Sequence, residues 1–164
     1  MEGKIMVNIN KNIKKVCSFY VSNCHLATML LPHINEKINE KVKITTILEE
    51  SLQVEMKMLL EKLELNNKEK ILALNWNKTE EISIKPIQNQ EIIIAGSIEY
   101  IDKMHKILEE LISSEEKNIS VIDCYNFETS RENIKEILDN HEKVLNTAGE
   151  KEKSEYITQI KMAN

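Results

Sequence analysis

The chain predicts an α/β fold: a mostly parallel sheet with helices on both faces, in three layers. Three observations carry that prediction. Ile92-Ile93-Ile94 and Ile119 with Val121-Ile122 are short apolar runs, as expected of strands buried on both faces. Between such runs lie longer segments whose apolar residues recur every three or four positions, the helical period. At 164 residues the chain is long enough for one domain with a real core.

A loosely ordered lead-in is expected over residues 1–14, one α/β domain over 15–157 and a tail over 158–164. Val16, Cys17, Phe19, Tyr20 and Val21 predict a first strand. Ser22 or Asn23 then suits the N-cap of a helix running from Cys24 to about Lys41. Pro32 predicts a kink there, or a second helix starting at that residue. The β-branched run Val42, Ile44, Thr45, Thr46 and Ile47 predicts a second strand, and Ser51 a cap for the helix carrying Leu52, Met56, Leu59, Leu60 and Leu63. Residues 71–76 read as a third strand and Ile82-Ser83-Ile84 as a fourth, with Pro86 placing the latter at an edge.

Ile92-Ile93-Ile94 leads through Gly96-Ser97 into a helix with Ile98, Ile101, His105, Leu108 and Ile112 on one side. The strand over 119–127 turns polar at its end, Asp123-Cys124-Tyr125-Asn126, where ligands usually sit in open α/β sheets. Thr129 and Glu132 have capping-box spacing for a helix that places Ile134, Ile137, Leu138 and His141 on one face. Val144-Leu145 suggests a short strand, followed by a charged tail from Glu150.

Composition narrows the function classes. The net charge of −5 and a single arginine, Arg131, argue against unaided binding to nucleic acid or an anionic membrane. No run approaches the roughly 20 apolar residues that span a bilayer. Three separated cysteines and no secretory leader point to a reducing cytoplasm.

No Gly-x-x-x-x-Gly-Lys-Ser/Thr or Gly-x-Gly-x-x-Gly motif occurs, so Gly96 reads as a turn residue and Ser97 as a cap. The spacing of Cys17, Cys24, His25, Cys124 and His141 matches no zinc motif. A thiolate pair of Cys124 with His141 or His25 would need a meeting in space that spacing does not provide. No catalytic residue, metal or cofactor is therefore assigned.

Three segments together resemble the methanogen/methylotroph sensory (MEDS) domain of prokaryotic regulators. They are Val16-Cys17-Ser18-Phe19-Tyr20 with a helix carrying Leu30-Leu31-Pro32, then Ile92-Ile93-Ile94-Ala95-Gly96, then Asp123-Cys124-Tyr125-Asn126-Phe127 with His141-Glu142-Lys143-Val144-Leu145. Lys15, Ser97, Asn126 and Glu142 depart from that family's pattern, which carries a histidine, an acid, an aspartate and a proline there. The resemblance implies a RecA-like core without a Walker loop and a sensory role toward small, hydrocarbon-derived ligands.

The expectation is thus a non-enzymatic sensory or regulatory module in prokaryotic signalling. It would bind a small molecule or a partner protein at the carboxyl ends of its strands, through Cys17, Tyr20, Gly96, Ser97, Cys124, Tyr125 and His141. The alternatives are a small cysteine- or nucleotide-dependent enzyme, or a structural protein that forms a homodimer through the edge at 82–84.

Overall fold

Residues 13–82, 89–112 and 118–157 are described by the computed structural model. In chain order they form β1 (Lys14–Tyr20), α1 (Asn23–Asn39), β2 (Lys43–Leu48), α2 (Gln53–Lys62), α3 (Lys68–Leu72), β3 (Gln90–Gly96), α4 (Ile98–Leu111) and β4 (Ile119–Asn126). The short α5 (Phe127–Ser130), a 3-10 turn (Arg131–Asn133), α6 (Ile134–Asp139), β5 (Lys143–Asn146) and β6 (Gly149–Glu152) complete them. The strands make one sheet ordered β2-β3-β4-β1-β5-β6. Every neighbour pairs in parallel except β5 with β6. The α/β class with a mostly parallel sheet is therefore as the sequence predicts.

Side chains alternate across a strand, and here the alternation sorts the core into two. Val16 and Tyr20, Ile93 and Ala95, and Ile122 and Cys124 pack on one face with Leu26, Leu30 and Ile34 of α1, Met56 and Leu60 of α2 and Ile71 of α3. Cys17 and Phe19, Ile92 and Ile94, and Val121 and Tyr125 pack on the other with Ile101, Met104 and Leu108 of α4 and Ile137 and Leu138 of α6. Every residue of β3 is buried. That is why its Ile92-Ile93-Ile94 run is continuous rather than alternating. Fully burying each such side chain contributes about 1.5–3 kcal/mol.

The local signals act as their chemistry requires in several places. Ser22 Oγ accepts from His25 N at 3.1 Å, capping α1. Ser97 Oγ accepts from Tyr100 N at 3.3 Å, capping α4. Val144 and Leu145 lie on β5.

Other expectations are corrected. Pro32 sits inside α1, a single helix starting at Asn23, so no second helix begins there. The predicted strand over 71–76 is instead the end of α3 and a loop. Buried Trp76 decides this: its indole Nε1–H donates to Ile71 O at 2.7 Å, and its own carbonyl accepts from Leu52 N at 2.8 Å. A buried indole N–H needs an acceptor, and here the loop folded over the end of α3 supplies it.

The predicted capping box is also absent. Asn126 is the N-cap, its Oδ1 accepting from Glu128 N at 3.0 Å, and the segment breaks into α5, a 3-10 turn and α6. His141 therefore lies past the end of α6 rather than on its face. Glu150 does not open a free tail but lies on β6, and residues 153–157 are helical. The proposed edge strand at 82–84 extends beyond the described residues; Ile82 itself packs against the α4 face of the core.

Candidate functional site

Two adjacent strands set the site. β1 is followed by α1 on one face of the sheet, whereas the neighbouring β4 is followed by α5 and α6, with α6 on the other face. Chains that leave neighbouring strand ends toward opposite faces open a crevice between them, and α/β proteins bind ligands at such switch points. A cavity of about 250 Å³ lies there. Phe19 and Val21 from the end of β1 and Phe127 beyond β4 form one side. Leu145, Asn146 and Thr147 from the end of β5, Met29 and His25 from α1, and Tyr156 from the C-terminal helix form the rest.

Three of the lining side chains, Phe19, Phe127 and Tyr156, are aromatic, and two of them hold each other in place. Phe19 stacks on Tyr156 at 5.4 Å and 18°, and on Tyr125 behind it at 6.0 Å. Arg131 lies 5.5 Å from the centre of the Phe127 ring and pairs with Glu128 at 2.9 Å. Burial, followed by the nearby Cys17, pushes the Tyr156 hydroxyl up to about 12, so it remains a neutral donor.

His25 supplies the one imidazole of this crevice. Its Nδ1 accepts from Val21 N–H at 3.0 Å, so the proton of the neutral ring sits on Nε2. Burial pushes its pKa below the ordinary 6.5, which keeps it neutral at pH 7. The site thus combines an apolar surface with a fixed N–H donor.

The residues singled out from sequence divide between places. Tyr20, Gly96 and Tyr125 do lie at the carboxyl ends of neighbouring strands, with Gly96 paired to Tyr125 and Phe19 beside it. Consecutive residues of a strand, however, face opposite ways. Tyr20 and Cys124 pack under α1, and Cys17 and Tyr125 under α4 and α6. His141 is on that second side, its ring edge-on to Tyr125 at 6.0 Å. Cys124 and His141 are thus on opposite faces of the sheet, and a thiolate pair between these two has no geometry.

Burial, with the Asp123 charge second, raises the thiol pKa of both Cys17 and Cys124. Neither is an activated nucleophile. In a timed alkylation at neutral pH, exposed Cys24 should react in the first phase and Cys17 and Cys124 only on unfolding; fast loss of Cys124 would contradict this arrangement.

Gly96 and Ser97 stand at a helix start of the kind that seats phosphates, but the protein fills the seat itself. Glu49 Oε1 accepts from Ser97 N at 2.8 Å.

The sequence reading missed Asp123, the most constrained ionisable group in the core. It is fully buried on β4, and its two oxygens take different partners: His105 Nε2 of α4 at 2.8 Å and His141 Nε2 at 2.7 Å. Burial pushes its pKa up, but the two imidazoles more than offset that and hold the carboxyl well below its ordinary range. His141 Nδ1 lies 2.6 Å from Ile137 O, so both of its nitrogens face acceptors. A carboxylate in the apolar run Val121-Ile122-Asp123-Cys124 was the available signal, because a buried charge requires partners. The cluster lies behind the crevice: Phe19 touches Tyr125, and Tyr125 touches His141.

Among the described residues no group of three or more His, Cys, Asp and Glu side chains is arranged to hold a metal. No helix among them is long and apolar enough to cross a membrane. No protein-family model, curated protein or solved structure matches the chain.

Proposed function

We propose that this protein is a non-enzymatic sensory or regulatory module that binds a small, largely apolar molecule in the crevice between the ends of β1, β4 and β5. The observation that carries this reading is the crevice itself: Phe19, Met29, Phe127, Leu145 and Tyr156 around a neutral His25 whose Nε2–H is available to donate. Mostly apolar walls with one or two fixed polar groups are what small-molecule sites present. A closed cavity of about 150 Å³ already holds benzene, so the space suits a compact ring or branched chain bearing one acceptor oxygen.

The same reading takes the core as RecA-like without a phosphate loop. The first strand sits inside the sheet, the crevice opens at its carboxyl end, and β1 passes into α1 through Val21-Ser22 with no glycine. The sheet order differs from both common doubly wound orders. A divergent member of the MEDS class would combine these traits.

Acetophenone, with a ring for the aromatic walls and a carbonyl for His25, tests the site. Added to 13C-methyl-methionine protein, it should shift the Met29 methyl resonance saturably while leaving that of Met56, buried in the core, in place. Val21 is 68% exposed, so Val21→Glu keeps the fold while placing a charge in the crevice. That variant should lose the response. A Met29 methyl that does not move, or that moves equally in Val21→Glu, would remove this crevice as the site.

A further inference from the structure

Two residues that line the crevice, Val21 and His25, are joined by a contact that depends on a proton. Val21 N–H donates to His25 Nδ1 at 3.0 Å. In return, Ser22 Oγ accepts from His25 N at 3.1 Å. Together these bonds clasp the end of β1 to the first turn of α1. The first of them exists only while the imidazole is neutral, because an imidazolium donates from both nitrogens and accepts at neither. A proton added to His25 therefore turns the acceptor into a second donor facing the Val21 N–H.

Three influences keep that proton off at neutral pH. Partial burial disfavours the charged ring and moves its pKa below 6.5. The bond accepted from Val21 favours the neutral form. His25 also belongs to the first turn of a helix, where the free N–H groups disfavour a cation, and that turn has no acidic residue to offset them.

None of the residues lining the crevice is a carboxylate. Phe19 from β1, Phe127 from α5, and Asn146 and Thr147 from the end of β5 carry no charge. Tyr156 of the C-terminal helix titrates only at about 12. Lys153 and Glu155 of that helix lie outside the lining, and Cys24 beside His25 is exposed. Past Phe127, Arg131 and Glu128 offset each other at 2.9 Å.

We propose that His25 gates the crevice with a proton: the neutral ring holds Val21 and admits a ligand, and the protonated ring lets go of Val21 and releases it. This rests on the reading of the crevice as a binding site and adds its regulation. A largely apolar molecule seated there takes water from the His25 ring, which the neutral form tolerates and the charged form does not. One neutral acceptor oxygen on the ligand does not replace both the hydration of a cation and the lost Val21 contact. By linkage, affinity falls as pH drops through the His25 midpoint.

The ligand-free protein is first titrated with acid, following the His25 ring and the Val21 amide by NMR. The amide should shift with the midpoint of the ring. Acetophenone is then titrated at pH 8 and at one pH unit below that midpoint, read at the Met29 methyl. Its apparent dissociation constant should be about tenfold higher at the lower pH, the fraction of neutral ring having fallen by that factor. The Met56 methyl, buried in the core, should stay in place at both, showing an intact fold. His25→Asn keeps an acceptor for the Val21 N–H and carries no charge at any pH. Its Val21 amide and its acetophenone response should no longer follow pH.

Equal affinity on both sides of the His25 midpoint overturns the gate, as does a Val21 amide that ignores the ring's titration. A pH dependence that persists unchanged in His25→Asn overturns it too. Absence of a saturable Met29 shift at pH 8 instead removes the crevice as a site, and the gate with it, so the two failures are separable.

Discussion

Replacing Asp123 with alanine will lower the free energy of unfolding by about 3–5 kcal/mol, the range for removing one partner of a buried ion pair. The reason is what the substitution leaves behind. His105 and His141 are almost wholly buried, and each directs its Nε2 at a separate oxygen of this one carboxylate. Without it, the Nε2 of each imidazole loses its acceptor in the interior, and only His141 keeps another, Ile137 O at its Nδ1. Asp123→Asn should be milder, because the amide oxygen still accepts from one ring. The urea midpoint should fall with the slope unchanged, indicating a loss of stability rather than of compactness. A change of under about 1 kcal/mol would mean that the pairs contribute no more than exposed ones do.

The same variant should change the response of stability to pH, and the sign follows from the two shifts. Burial pushes the pKa of His105 down, but the Asp123 carboxylate outweighs this and its net shift is upward from 6.5. A group raised on folding contributes fully below its unfolded value, and that contribution is lost as pH rises through its folded one. The Asp123 carboxyl is lowered from 3.8, so its contribution is present above that value and lost as pH falls through the folded one. Stability of the native protein should therefore decline on the alkaline side of 6.5 and again in acid. In Asp123→Ala both limbs should flatten. An alkaline limb of undiminished slope in that variant would place its origin elsewhere.

How much of this was legible in the sequence depends on the physics behind each feature. β3 and β4 were plain because strands buried on both faces must be apolar throughout. Ser22 and Ser97 were plain because a hydroxyl before a helix satisfies free backbone donors. The parity of the strand ends was legible too. Cys124 and Tyr125 are consecutive, so they could not face one chamber, whatever their promise as individual residues. By contrast, the meeting of His105, Asp123 and His141 is set by register and helix placement, and no spacing rule encodes it. Trp76 misled for a related reason. The β-like composition around it is loop sequence stapled to α3 by one indole hydrogen bond. The crevice residues Val21, Phe127 and Tyr156 carried no motif; they gain meaning only from the switch between β1 and β4.

Gly96→Ala should destabilise the protein by about 1–3 kcal/mol, the cost of overpacking a closed site. A methyl group there would stand 2.5 Å from Glu49 Oε1, 2.8 Å from Glu49 Cβ and 2.9 Å from the Tyr100 ring. The backbone φ of +158° adds a conformation that side chains rarely adopt. Glu49 does not yield freely, since its Oε1 accepts from Ser97 N at the start of α4 and moving it leaves that N–H without its acceptor. The Ser97 amide resonance should therefore shift together with the loss of stability.

Crowding by Glu49 and strain in the backbone make different demands on a second substitution. Glu49→Gly removes the two nearest atoms and the acceptor of the Ser97 N–H, so the double variant with Gly96→Ala should be destabilised by less than the sum of the singles. Strict additivity would assign the cost to backbone conformation and the Tyr100 ring instead. Either the glycine makes room for the carboxylate that takes the place of a bound anion at this helix start, or it merely turns the chain, and the cycle separates the two.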